Sequence, residues 1–135
     1  MSAFGFAPWD LWPLTLIAVA VLCGLIDTAP TPRAAFARAW LFGVGHFSIG
    51  LQWIAFAFTF QAKMPVALGW VAVLGLSMFL ALYPGLAGWL ARRLAQGSVA
   101  RVLAFAAAWM LGEWLRGWVL TGFAWNPLGA AWLAF

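Results

Sequence analysis

Charge is what this chain has least of, and its scarcity decides the class. Charged residues make up 7% of the 135, seven basic and three acidic, where a soluble domain carries about 25%. So few ionic side chains cannot cover the surface of a soluble protein of this length. Cysteine is nearly absent as well. Cys23 stands alone, which excludes an intrachain disulfide and a thiolate metal cluster. His46 is the single histidine, and without a carboxylate or second imidazole near it in sequence it makes a poor metal site. Neither a metal nor a cofactor is expected. No basic stretch followed by a cleavage site precedes the first apolar run, so residues 1–9 do not read as a removable signal peptide. There is no internal repeat and no linker long enough to divide the chain into domains.

What is present is apolar. Hydrophobic residues reach 67% and tryptophans number eleven, and indoles favour the membrane–water interface. Lipid is the solvent that fits. A spanning helix needs about 20 apolar residues, and four segments qualify at about 9–26, 35–60, 66–90 and 99–120. The fold class is therefore an all-α membrane protein, a polytopic bundle of about four transmembrane helices with no soluble domain. The first segment is stopped by Asp27-Thr28-Ala29-Pro30-Thr31-Pro32-Arg33, two prolines and charges in a surface loop. Tyr83-Pro84-Gly85 lies inside the third and predicts a kink there.

The pI near 10.8 does not indicate nucleic acid, because the cations sit in the gaps between apolar runs and form no stripe. Anionic lipid headgroups are the partners they fit. Arg33 and Arg38 follow the first segment, and Arg92, Arg93 and Arg101 surround the gap after the third. Lys63 and Arg116 lie on the opposite side. This bias makes the two arginine loops cytoplasmic, leaving Met1 and the stretches around Lys63 and Trp125 outside.

Glu113 and Arg116 are the sharpest local feature. Three residues apart in a helix, they share a face. Counted from Arg101 they lie roughly 18 and 22 Å along the helix, in the outer part of a core about 30 Å thick. Charges at that depth are costly unless paired or wet, which argues for function. A structural ion pair that fixes the helix against its neighbours is the other reading, and both stay open. Gly43-Val44-Gly45-His46 places small residues where another helix can approach closely, with the imidazole as a packing group. Cys23, Lys63 and Glu113 do not form a nucleophile system, because Cys23 falls roughly 17 Å below the outer end of its helix while Lys63 sits in an outer loop. Trp9, Trp12 and Trp125 at outward ends are interface anchors, or else line an access route for a lipid chain.

Three stretches resemble the bacterial apolipoprotein N-acyltransferases. Glu113-Trp114-Leu115-Arg116-Gly117-Trp118-Val119-Leu120-Thr121-Gly122-Phe123-Ala124-Trp125 is similar to a signature of that family. Phe6-Ala7-Pro8-Trp9-Asp10-Leu11-Trp12-Pro13 resembles the loop before its second helix. Trp40-Leu41-Phe42-Gly43-Val44-Gly45-His46-Phe47, with Gly50 and Trp53, resembles its third. The resemblance covers essentially the whole chain. It implies a multi-pass protein of the bacterial inner membrane and a role in lipoprotein maturation. The activity implied is transfer of an acyl chain from phospholipid to the N-terminal diacylglyceryl cysteine of an apolipoprotein, through an enzyme thioester.

In such enzymes the catalytic glutamate, lysine and cysteine belong to a nitrilase-like α/β domain beyond further helices, so no catalytic residue carries over to residues 1–135. On this resemblance the chain is an N-terminal transmembrane portion lacking the family's first helix and that domain, and inactive alone. Ala124 stands where the signature usually has proline. Glu113, Arg116, Trp125 and Trp12 remain as structural or lipid-contact candidates. The alternative is a small four-helix scaffold or subunit without enzymatic activity. The coding sequence on either side of the reading frame discriminates the two.

The charge bias makes a topological prediction. In labelling with a membrane-impermeant thiol reagent, cysteines placed at Ser2 and Asn126 should react from outside and one at Ser98 should not. Outside reactivity at Ser98 would reverse the orientation.

Overall fold

The computed structural model describes residues 12–60, 65–119 and 127–128. Among these the secondary structure is helical: α1 Trp12–Asp27, α2 Pro32–Gly50, α3 Gln52–Thr59, α4 Val66–Leu80, α5 Leu82–Leu94 and α6 Ser98–Val119. Helices α2 and α3 together make one span, Pro32–Thr59. Helices α4 and α5 make another, Ala67–Leu94, and α6 is a third; α1 is apolar but shorter. The molecule is a helical membrane bundle.

The segment expected at 35–60 begins earlier, because the residues read as loop are also a helix start. Thr31 caps α2 by accepting the Ala34 N–H on its hydroxyl at 3.1 Å, and Pro32 takes the first helical position, where no N–H is needed. The same segment is interrupted once, at Leu51, whose φ of −104° and ψ of 7° leave the helical region. The Leu51 N–H still reaches the Phe47 carbonyl at 2.8 Å, so the chain passes from α2 to α3 without opening a loop. In the next span the interruption is at Ala81, one turn ahead of Pro84. Proline at position i offers no N–H to the carbonyl at i−4 and crowds it, so its effect appears at Leu80 and Ala81. Between α5 and α6 the chain turns through Gly97, whose φ of 83° suits glycine.

Helices in lipid gain little from hiding apolar side chains from one another, so close backbone approach and dispersion hold them. The α2–α5 pair is built that way. Ala35, Ala39 and Gly43 of α2 are buried, as are Pro84, Gly85, Ala87, Gly88 and Ala91 of α5. A Cβ on Gly43 would lie 2.7 Å from Pro84 Cγ and 3.0 Å from Ala81 Cβ, and one on Gly88 would lie 2.9 Å from Ala39 Cβ. Gly45, two residues on from Gly43, has open space around it. Two apolar cores result. One, around Leu22, Ile26 and Phe105, lies toward the arginine-rich end; the other, around Phe47, Leu51 and Leu80, lies farther along. Outside them, Ile17, Phe56, Trp70, Leu103, Met110 and Trp118 are exposed, a surface suited to lipid.

Gly43→Ala should destabilise the intact protein by about 1–3 kcal/mol through overpacking. Gly45→Ala should be neutral or stabilising by up to about 1 kcal/mol, from helix propensity alone. Denaturant titration in detergent measures both, and equal losses would refute the close-packing account.

Candidate functional site

Polar side chains collect at two levels of the bundle. At the arginine-rich end three guanidinium groups converge on the turn that closes α1. Arg38 of α2 donates to the Leu25 carbonyl at 2.6 Å and to the Thr28 hydroxyl at 3.2 Å. Arg92 of α5 donates through Nε to the Ala29 carbonyl at 2.7 Å. Arg101 of α6 pairs with the Asp27 carboxylate at 2.5 Å, which also accepts the Ser98 hydroxyl at 2.8 Å. Cations at a helix C-terminus meet unpaired carbonyls and the negative end of its dipole. The hydrogen bond from Arg101, then that from Ser98, holds the Asp27 carboxyl below its ordinary range. A carboxyl depressed in the folded state stabilises above its unfolded value and loses that contribution as pH falls through its folded value. This pair is therefore intact at neutral pH and released only in acid. Arg33 and Arg93 are exposed at the same end. The pairing of Asp27 with Arg101 was not legible in the sequence, since 74 positions separate them.

The second level holds Glu113 and Arg116 on α6. Arg116 is buried and Glu113 half-buried, with 3.6 Å between Arg116 Nη2 and Glu113 Oε1. The guanidinium carbon of Arg116 lies 4.9 Å from the Phe47 ring centre and 5.9 Å from that of Tyr83. A desolvated cation over an aromatic face gains about 2 kcal/mol, so α2 and α5 hold this charge between their rings. Glu113 Oε1 also accepts the Trp109 indole N–H at 3.0 Å and the Leu128 backbone N–H at 2.7 Å. The space left among Phe47, Tyr83, Pro84, Trp109, Glu113 and Arg116 is about 10 Å³, room for about one water and no substrate.

A larger groove runs between α1 and α6, about 250 Å³, walled by Val19, Cys23, Phe105, Trp109 and Met110 and ended by Glu113 and Leu128. The structure thus brings Cys23 and Glu113 to the walls of one groove, while Lys63 lies outside the described residues. Trp12 opens α1. Trp9 and Trp125 lie outside the described residues. His46 is buried, stacked on Phe42 at 6.4 Å and edge-on to Phe47 at 5.1 Å. Among the described residues no three metal-ligating side chains come together.

Removing one partner of a buried pair leaves the other uncompensated, at about 3–5 kcal/mol. Here the two losses should be unequal. Glu113→Leu also takes the acceptor from the Trp109 and Leu128 N–H groups, whereas Arg116→Leu leaves Glu113 with both donors. In the intact protein, folded yield should fall more for Glu113→Leu, and the double variant should regain only the part due to the ion pair. A loss for Arg116→Leu as large as that for Glu113→Leu would contradict this ordering.

Residues 1–135 match a family model described as the N-terminal domain of apolipoprotein N-acyltransferase. A Chromobacterium violaceum protein named apolipoprotein N-acyltransferase is 43% identical over 95% of this chain and 25% of its own length. Proteins of that name from Ralstonia nicotianae and Vibrio cholerae are 40% and 38% identical, over 97% and 96% of this chain and 26% of their own lengths. The chain spans about a quarter of the length of these relatives.

Proposed function

The chain belongs to the apolipoprotein N-acyltransferase family through its N-terminal domain, and we propose that it is the membrane-embedded portion of an enzyme that N-acylates bacterial lipoproteins. The observation that carries this reading is the match over all 135 residues. It is supported by relatives bearing that enzyme name at about 40% identity and by the spans that set the chain in a bilayer.

The activity belongs to the whole protein. A cysteine thiolate attacks the ester carbonyl of a phospholipid, forming a thioester and expelling a lysophospholipid alkoxide that takes up a proton. The α-amine of a diacylglyceryl cysteine then attacks the thioester, forming the amide and releasing the thiol, with a carboxylate relaying the proton. Residues 1–135 supply none of these groups. Their role is the platform, with the arginine-rich end toward the cytoplasm and the Glu113–Arg116 level toward the periplasmic face of the inner membrane. Arg116, held between Phe47 and Tyr83, and Glu113 brace α6 against α2 and α5 at that outer level, and Trp12 marks the interface.

The test is acyl transfer from labelled phospholipid to a diacylglyceryl-cysteine peptide. The intact protein should label the peptide, and residues 1–135 alone should not. No label from the intact protein, under conditions where a relative is active, would sink the functional reading. Hydroxylamine-sensitive label on Cys23 would show that this chain carries a nucleophile after all.

A further inference from the structure

Helix α6 runs to Val119, six residues past Glu113 and about 9 Å farther along the axis. The backbone nevertheless comes back to Glu113, for the Leu128 N–H donates to its Oε1 at 2.7 Å. Leu128 lies outside α6, and a backbone N–H at membrane depth that is not taken up within a long helix must find its partner elsewhere in the protein. Pro127 has no N–H, so Leu128 is the first residue after Asn126 that can donate. On its side, the half-buried carboxylate needs donors, and it gathers them from Trp109, Leu128 and Arg116 on one oxygen. Arg116 is the most distant of the three, at 3.6 Å, and is turned toward Phe47 and Tyr83.

We propose that Glu113 is a positioning residue for the polypeptide beyond α6: its carboxylate fixes the returning backbone at Leu128 across the end of the α1–α6 groove. The acceptor role is primary and the pairing with Arg116 secondary. The two residues of one helical turn then do different work. Arg116 joins α6 to α2 and α5, and Glu113 joins it to the chain that follows. This assignment is independent of acyl transfer, and its test does not use activity.

The measurement is hydrogen–deuterium exchange at the Leu128 amide, read at residue resolution in the intact protein in lipid nanodiscs. Because Pro127 carries no amide, the Leu128 signal is not blurred by its predecessor. The amide should be protected in the unmodified protein. Hydrogen bonds to a carboxylate are roughly twice as strong as neutral ones, so Glu113→Leu should speed exchange by at least about tenfold, and Glu113→Gln by several-fold but less. Arg116→Leu should change the rate by less than about twofold, since it leaves the acceptor in place. An unprotected Leu128 in the unmodified protein, or protection that survives Glu113→Leu, overturns the proposal. So does an acceleration by Arg116→Leu equal to that by Glu113→Leu, which would make the ion pair the controlling contact. Should Glu113→Leu fail to fold, Glu113→Gln set against Arg116→Leu carries the decision, and an unchanged rate in both overturns it.

Discussion

Inside a bilayer a polar group has no water to fall back on, so each one must be met by the protein or brought to the surface. That requirement explains where this chain keeps its charges. Asp27 takes Arg101 and Ser98, and Arg38 and Arg92 take the carbonyls that α1 leaves open at its end. On α6, Glu113 takes an indole, a backbone amide and a guanidinium. Between these two levels the bundle is held by shape. The α2–α5 contact, with Gly43 against Pro84 and Gly88 against Ala39, needs small residues because lipid tails compete with any larger apolar side chain on equal terms.

Much of the architecture was legible in the sequence because composition and run length report directly on the solvent. The apolar segments around 35–60, 66–90 and 99–120 overlap the three long spans, which extend past them to Pro32, Leu94 and Ser98. Spacing also placed Glu113 and Arg116 on one face, since a three-residue separation in a helix has one geometric meaning. What was not legible depends on contacts between distant segments. Leu51 interrupts a continuous apolar run with no proline to announce it. Thr31-Pro32 reads equally as the end of a loop and the start of a helix, and the Ala34 amide on the Thr31 hydroxyl decides between them. The Leu128 amide on Glu113 joins residues fifteen apart, and local periodicity carries no trace of it.

The family relationship and the physical reading meet at α6. The stretch from Glu113 to Trp125 that resembles the family's signature holds two charges that pair with each other and each reach farther, Arg116 to aromatic rings of α2 and α5 and Glu113 to the Leu128 backbone.

The lengths of the spans must also be fitted to the surrounding membrane. Pro32–Thr59 and Ala67–Leu94 hold 28 residues each and α6 holds 22, which is about 42 Å against about 33 Å at 1.5 Å per residue. A hydrocarbon core is about 30 Å thick. The two 28-residue spans exceed that thickness, and each is divided once, at Leu51 and at Ala81. A span longer than the core is accommodated by tilting or kinking. The two interruptions thus let each long span cross as a pair of shorter helices at separate tilts, which reduces its reach along the bilayer normal.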